Sequence, residues 1–330
     1  MKITVVGDGA WGTALAINLV ANKHDVTVWG AFPDYLDEMR KTGENTKFLK
    51  GIKLPPELKF DGDMASAVKD SELILLATPT QFLRSVLKKL AGCISGDPLV
   101  VNVAKGIEMD SWLRISEIVA EVLGKVRFVA LSGPSHAEEV ALHRPTLVVA
   151  ASENENDAKT VQQAFMNESF RVYTCDDVIG VELGGALKNV MAIAAGIIDG
   201  MGLGDNAKAA LMARGICEMG RLGEAIGGKH QTFYGLSGIG DLIVTCSSQH
   251  SRNRFVGDAL GRGKKLKEIL AGMGMVVAEG VWTSRGACVL AERFAVETPI
   301  ISEIYRILFE DRDVSEALYT LMTRAAKSER

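Results

Sequence analysis

The chain has 330 residues, 47% of them hydrophobic, which exceeds the size at which one core keeps growing and leaves enough apolar content for two; two domains are expected, with no need of disulfide or metal staples. A net charge of −4, 6% aromatic residues and the lack of a long basic block leave no electrostatic footprint for nucleic acid, so any anionic ligand must be met by a local cluster. Cys93, Cys175, Cys217, Cys246 and Cys288 are odd in number, scattered and never in a C-x-x-C pair, which argues against a disulfide framework and a zinc cage and favours a reducing cytoplasm.

The opening residues are the most informative. Lys2-Ile3-Thr4-Val5-Val6 reads as a buried strand, Gly7-Asp8-Gly9-Ala10-Trp11-Gly12 follows at once, Thr13 to Ala21 continues as a helix of small and apolar residues, and Val26-Thr27-Val28-Trp29 supplies a second strand. Strand, glycine turn, helix and strand in this order form a dinucleotide-binding βαβ unit. Gly7 permits the tight turn, Gly9 lets the backbone approach a pyrophosphate, and Gly12 lets helix and sheet pack closely, so that the N–H groups opening the helix face the phosphates. Trp11 either covers the dinucleotide or fills the helix–sheet junction. Asp8 and the glycines cut the first apolar run far below the length of a signal peptide or a membrane span.

Short apolar runs then alternate with helical patterns: Leu73 to Ala77, Leu99 to Val103, Arg127 to Leu131, Thr146 to Ala150 and Phe170 to Tyr173. The alternation predicts an α/β fold whose N-terminal part is a doubly wound, mostly parallel Rossmann sheet, residues 1–177, followed by an all-helical C-terminal domain, residues 178–330, for substrate binding and catalysis. Ligands of such sheets sit beyond the carboxyl ends of the strands. Thr78-Pro79-Thr80, Ala104-Lys105-Gly106 and Ser132-Gly133-Pro134-Ser135-His136-Ala137 follow three of them, which brings a lysine and small polar residues to one crevice. His24, His136, His143, His230 and His250 show neither metal spacing nor a paired nucleophile, so His136 reads as structural or substrate-lining.

In the helical half, Lys188 lies within the small and apolar segment Val181 to Gly196. Burial would lower its pKa toward the range useful for proton transfer; the alternative is a lysine that snorkels from a packed helix or pairs with Glu182. Gly184 and Gly185 cost about 1 kcal/mol each against alanine in a helix, which close approach of another segment or a ligand would explain. Glu182 and Lys188 also argue against Val181 to Ile198 as a membrane span. Gly238 to Cys246, followed by Ser247 to Arg254, places an acid after a glycine pair and then hydroxyls and two arginines. That suits a small phosphorylated or carboxylated substrate; a solvated loop, with Asp241 as an N-cap, is the alternative. Met273 and Met275 are expected to pack, and Ala325 to Arg330 to form a fraying tail. Exposed apolar surface on the helices suggests a homodimer.

With these pieces placed, the chain closely resembles the bacterial-type NAD(P)-dependent glycerol-3-phosphate dehydrogenases over nearly all its length. The resemblance rests on the glycine motif 7–12 with Thr13-Ala14-Leu15-Ala16, on Ala104-Lys105-Gly106, Ser132-Gly133-Pro134-Ser135 and Glu182 to Asn189, and on Gly238 to Cys246 and Ser251-Arg252-Asn253-Arg254. It implies hydride exchange between nicotinamide and dihydroxyacetone phosphate or sn-glycerol 3-phosphate, feeding glycerophospholipid synthesis, with NAD or NADP as cofactor and no metal. By the resemblance Lys188 is the general acid/base, Lys105 polarises the reacting oxygen and holds substrate, and Asp241 orients the lysines. Gly133, Ser135, Asn189, Ser251, Arg252 and Asn253 bind substrate. Gly7, Gly9, Ala10, Trp11, Gly12, Ala31, Lys105, Ala137, Arg252, Val277 and Glu279 contact the cofactor.

One departure concerns coenzyme choice. Ala31, just beyond the second strand, is neither the basic residue suited to a 2′-phosphate nor the acid that holds a ribose hydroxyl; Asp34 is a candidate for the missing acid. Two other functions share the pattern. A ketopantoate or hydroxy-acid dehydrogenase would keep Lys188 and turn Arg252 to a carboxylate. A dinucleotide sensor would have no use for a proton donor in an apolar helix.

Overall fold

Runs of Val, Ile and Leu bounded by turn residues become strands buried on both faces, as expected where helices cover a parallel sheet. The computed structural model describes residues 1–274, 277–326, 328 and 329. Its strands are β1 (Lys2–Val6), β2 (Asp25–Trp29), β3 (Glu44–Asn45), β4 (Leu49–Lys53), β5 (Lys59–Asp61), β6 (Leu73–Leu76), β7 (Leu99–Asn102), β8 (Phe128–Ser132), β9 (Thr146–Ala151) and β10 (Phe170–Cys175). Eight of them form one sheet in the order β10-β9-β8-β7-β6-β1-β2-β5. Val5 of β1 lies opposite Val28 of β2 on one side and Leu75 of β6 on the other. The chain thus builds outward through β2 and β5, then crosses back to β6, and the carboxyl ends of β1 and β6 flank the point where the order reverses, the place where open sheets hold ligands.

Helix Ala10–Ala21 covers one face with Leu15 and Leu19, which pack with Val161 and Phe165. Helices Thr80–Ala91 and Ile115–Leu123 cover the other through Leu83, Leu87, Ile118 and Val119. The doubly wound, mostly parallel sheet is as the sequence implies, with one exception: β8 and β9 run antiparallel.

The three strands between residues 44 and 61 were not legible. Leu-Lys-Gly-Ile-Lys of β4 is mostly exposed and has no apolar run to announce it. β3 and β4 form a small antiparallel pair apart from the main sheet, held to the glycine turn by Asn45, whose amide donates to the Asp8 carbonyl (2.8 Å) and to Thr13 Oγ1 (2.7 Å).

After Cys175 the described residues form helices. The longest, Val178–Gly200, is buried from Gly180 to Ile197, and the Asp177 carboxylate accepts from the Gly180 N–H at its start. By length and composition it could cross a membrane, but 94% of its most apolar window is inside the protein, as befits a helix apolar all round at the centre of a bundle. Helices Asp205–Ala225, Arg252–Gly261 and Glu279–Arg293 surround it. The closest neighbour is Arg252–Gly261: a methyl group at Gly257 would collide with the Ile193 carbonyl, and one at Gly196 with the Arg254 carbonyl. Met273 packs against this helical core, while Met275 lies outside the described residues. All five cysteines are free thiols. Of the expected tail, residues 325, 326, 328 and 329 have no regular structure; Lys327 and Arg330 lie outside the described residues.

Candidate active site

Three chain segments converge on one carboxylate. Beyond β7 the Asn102 side chain closes a turn on Ala104, accepting from its N–H and donating to its carbonyl, which aims Lys105 across the crevice. Lys105 Nζ donates to the Gly133 carbonyl (3.0 Å) and to Asp241 Oδ2 (2.6 Å). From the central helix, Lys188 Nζ donates to Asp241 Oδ1 (2.6 Å) and to Thr245 Oγ1 (2.7 Å). Thr245 in turn donates to the Asp241 carbonyl (2.6 Å). Asp241 is 1% exposed and Lys188 7%, so both charges are out of bulk water and their electrostatics are strong.

Two ammonium groups on one carboxylate leave a net charge of +1 at the cluster. Burial pushes the Lys188 pKa down to about 8; the Asp241 carboxylate holds it from falling further, and the Lys105 charge adds to the depression. Burial alone would raise Asp241, but Lys105 and Lys188 outweigh it and keep the carboxyl below its usual range. The arrangement can therefore give and retake a proton at Lys188 near neutral pH, with the Lys105 side chain on the same carboxylate beside it.

The helix glycines have the cause expected of them. A methyl at Gly184 would stand 2.6 Å from the Ser237 carbonyl, and one at Gly185 3.0 Å from Ser132 Oγ and 3.3 Å from the Lys105 stem. They let the Lys105 side chain and the short π-helix Leu236–Gly240 close in on Lys188. Two readings are corrected. Lys188 does not pair with Glu182, whose carboxylate receives Arg114 Nη1 (2.7 Å) and the Ser116 N–H and hydroxyl instead. Nor is Asp241 an N-cap or part of a solvated loop: it is the first residue of helix Asp241–Ser247, capped by Gly240, and its carboxylate serves the lysines.

The remaining substrate candidates divide by what they already hold. Ser135 Oγ donates to the Gly133 carbonyl (2.9 Å). Gly133, at φ +151°, passes so close to Val148 that a Cβ would lie 2.9 Å from its Cα. Asn189 donates to the Lys105 carbonyl (3.3 Å) and accepts from Asn253 (2.9 Å), which itself accepts from the Gly280 N–H (2.9 Å). This amide chain ties the Lys105 loop to three helices. Ser251 caps helix Arg252–Gly261 by accepting from the Arg254 N–H. Arg252 is exposed, with Glu279 and Glu138 as charged neighbours.

On the cofactor side the three glycines divide their work as the motif requires. Gly7 sits at φ +128° with the Ala77 carbonyl 2.9 Å from where a Cβ would be, and a Cβ at Gly12 would strike the Gly7 carbonyl and lie 3.0 Å from Ala77 Cβ. At Gly9 a Cβ would meet nothing within 4 Å, and no side chain caps the helix that starts there. Open space over uncapped N–H groups fits a pyrophosphate. Trp11 packs partly against the sheet core while its buried Nε1 has no hydrogen-bond partner. Ala10 is partly buried beside it, Ala137 is buried and Val277 half-buried, and Ala31 is exposed past β2. The Glu279 carboxyl accepts from the Thr80 N–H (2.9 Å), and its Oε2 is buried without a partner. Burial pushes its pKa up to about 7.

His136 stands at the same crevice, its ring 5.8 Å from that of His250 and its Nε2 buried without a partner; burial and the Lys188 charge push its pKa down. Thr245 escaped sequence reasoning, although its place four residues after Asp241 puts both on one helix face.

Sequence profiles described as the N-terminus and the C-terminus of NAD-dependent glycerol-3-phosphate dehydrogenase match residues 2–158 and 177–319. The glycerol-3-phosphate dehydrogenase [NAD(P)+] of Enterococcus faecalis is 48% identical over 99% of this chain and 97% of its own. That of Bacillus pumilus is 50% identical over 99% and 96%. The chain belongs to the glycerol-3-phosphate dehydrogenase family.

Within this NAD(P)-dependent family the likeness extends to three dimensions. The crystal structure of the Coxiella burnetii glycerol-3-phosphate dehydrogenase superposes with a TM-score of 0.94 at 39% identity, covering 98% of this chain and 99% of that one. A D-mandelate dehydrogenase and a ketopantoate reductase from Ralstonia eutropha superpose at TM-scores of 0.61 and 0.59 with 14% and 15% identity. With those enzymes the glycerol-3-phosphate dehydrogenase fold alone is shared.

Proposed function

We propose that the chain reduces dihydroxyacetone phosphate to sn-glycerol 3-phosphate, reversibly, with NADH or NADPH, and that Lys188 is its general acid/base. The observation that carries the reading is the buried triad: two lysines from different elements on one carboxylate, at the carboxyl ends of the strands, with one of them depressed to a pKa of about 8.

The nicotinamide coenzyme, held by the glycine turn when bound, would supply hydride chemistry at C2 of the ketone, in either direction. As C2 gains the hydride its oxygen becomes an alkoxide, and Lys188 Nζ gives it the proton, leaving a neutral amine that regains a proton from solvent. Lys105 holds its positive charge near the same oxygen and stabilises the developing negative charge. Asp241 fixes both ammonium groups and raises the Lys188 pKa enough that it is mostly charged at neutral pH. Arg252, exposed beside the Ser251 cap, is assigned to the substrate phosphate, with Ser135, Asn189, Asn253 and the Gly133 backbone bounding the same pocket. Gly7, Gly9, Ala10, Trp11 and Gly12 are assigned to the pyrophosphate turn, and Ala31, Lys105, Ala137, Arg252, Val277 and Glu279 to the rest of the cofactor.

The division at residue 177, with the Rossmann part binding dinucleotide and the helices binding substrate, is part of the same proposal. It is supported by the end of β10 at Cys175 and the start of the long helix at Val178. A reducing cytoplasm accords with five free thiols, and a homodimer accords with exposed apolar side chains such as Tyr319 and Met322 on the helices. The test of the activity is consumption of reduced nicotinamide with dihydroxyacetone phosphate, NADH and NADPH side by side. Turnover with either supports the reading; coenzyme binding without turnover overturns it.

A further inference from the structure

A fold that selects NAD puts a carboxylate at the end of its second strand, where it accepts from the adenosine ribose hydroxyls. Here β2 ends at Trp29 and is followed by Gly30, which has no side chain, and by Ala31. Asp34 is exposed in the first turn of helix Pro33–Thr42. The acid arrives from elsewhere. The Asp8 side chain, from the glycine turn, lies over Gly30 so closely that a Cβ on Gly30 would stand 2.7 Å from Asp8 Oδ2 and 2.9 Å from its Cγ. Its carboxylate occupies the room that a side chain at position 30 would fill, and only a glycine there leaves that room.

We propose that Asp8 is the coenzyme-selecting residue, accepting hydrogen bonds from the adenosine ribose of NAD(H) and repelling the 2′-phosphate of NADP(H). The inference rests on the dinucleotide-binding reading of the glycine turn.

Two observations beyond its position support this. Asp8 Oδ2 is buried and has no hydrogen-bond partner, an arrangement that costs free energy until a donor is supplied. The turn that carries it is also braced. Asn45 donates to the Asp8 carbonyl and to Thr13 Oγ1, and its own Oδ1 accepts from Tyr35 Oη (2.6 Å) and the Phe48 N–H (3.1 Å). The β3–β4 insert therefore holds the Asp8 backbone in place, a positioning device the bare βαβ unit lacks. The cation that bears on Asp8 is Lys47, exposed, with its ammonium 4.0 Å over the Tyr35 ring; it softens the field without forming an ion pair. Residues 30–34, Gly-Ala-Phe-Pro-Asp, offer no arginine or lysine to a 2′-phosphate.

The experiment is calorimetric binding of ADP-ribose and of 2′-phospho-ADP-ribose to the full chain, wild type, Asp8→Asn and Asp8→Ala. Wild type is expected to prefer ADP-ribose by about tenfold or more, as a like charge held in no ion pair demands. In Asp8→Asn, which keeps the shape and removes the charge, the gap is expected to close to about threefold or less, mainly through tighter binding of the phosphorylated ligand. Asp8→Ala is expected to weaken ADP-ribose as well. Should Asp8→Ala not fold, the isosteric Asp8→Asn carries the comparison alone. Equal binding of both ligands by wild type, or an unchanged ratio in folded Asp8→Asn, overturns the role of Asp8 and leaves the dinucleotide site standing. Binding of neither ligand overturns that site and this inference with it.

Discussion

Lys188 carries a proton whose affinity is set by three things at once: burial, the Asp241 carboxylate and the Lys105 charge. Removing the amine in Lys188→Ala is expected to lower kcat for dihydroxyacetone phosphate reduction by about 10²–10⁴-fold, the usual worth of a positioned acid/base, with the fold intact by circular dichroism. Activity within a few-fold of wild type would end the assignment. The direction of its pH dependence follows from the same value. With Lys188 as the proposed acid/base, reduction draws on its charged form, so the rate is expected to be level below about pH 8 and to fall as pH rises through it; oxidation draws on the neutral amine and is expected to rise through the same pH. Rate profiles in both directions that bend together would show a different group to be titrating. The role proposed for Arg252 is in binding. Arg252→Ala is expected to raise KM for dihydroxyacetone phosphate by about 10–100-fold, the worth of a lost charged hydrogen bond, and to leave the KM for dihydroxyacetone nearly unchanged. Equal effects on the two substrates would remove its phosphate role.

Between elements, the glycines report where backbones touch, and they make opposite forecasts. At Gly257 a methyl group has nowhere to go but into the Ile193 carbonyl, whereas at Gly9 it meets open space. Gly257→Ala is expected to lower unfolding stability by about 1–3 kcal/mol through overpacking. Gly9→Ala is expected to leave stability within about 0.5 kcal/mol and to weaken dinucleotide binding instead. Thermal denaturation with and without NADH separates the two; a destabilised Gly9→Ala would mean the space over the turn is not reserved for a ligand. The same contrast explains what the sequence could disclose. The glycine turn, the alternating apolar runs and the lysine in an apolar helix are local patterns, readable over a dozen residues. The partners of Lys188 and Lys105 are 53 and 136 residues away, and that of Glu182 is Arg114, 68 residues back. No periodicity encodes such distances, so from the sequence the Glu182 pairing of Lys188 and the N-cap role of Asp241 stay open as alternatives. β3 to β5 are illegible for another reason: they are short and polar, and β3 and β4 are tied to the turn through Asn45 while β5 is held by its pairing with β2.

Across the whole molecule, a chain of net charge −4 gathers positive charge where the sheet meets the helices, which suits a phosphorylated substrate. Asp241 is the joint, since Lys105 comes from the sheet side and Lys188 from the central helix. Removing its charge tests fold and chemistry together. In Asp241→Asn two buried ammonium groups face each other across a neutral amide that can accept from one of them, so unfolding stability is expected to fall by about 3–5 kcal/mol, as when one member of a buried ion pair is lost. The attraction that raises the Lys188 pKa disappears while burial and the Lys105 repulsion that lower it remain. Its pKa must then drop below about 8, and the high-pH fall of the reduction rate is expected to move to lower pH by about one unit or more. A purely structural Asp241 would lower stability and leave that inflection where it is in wild type. Denaturant titration and the pH–rate profile of the same variant, read side by side, decide whether the carboxylate holds the two halves together or also sets the proton affinity of the lysine between them.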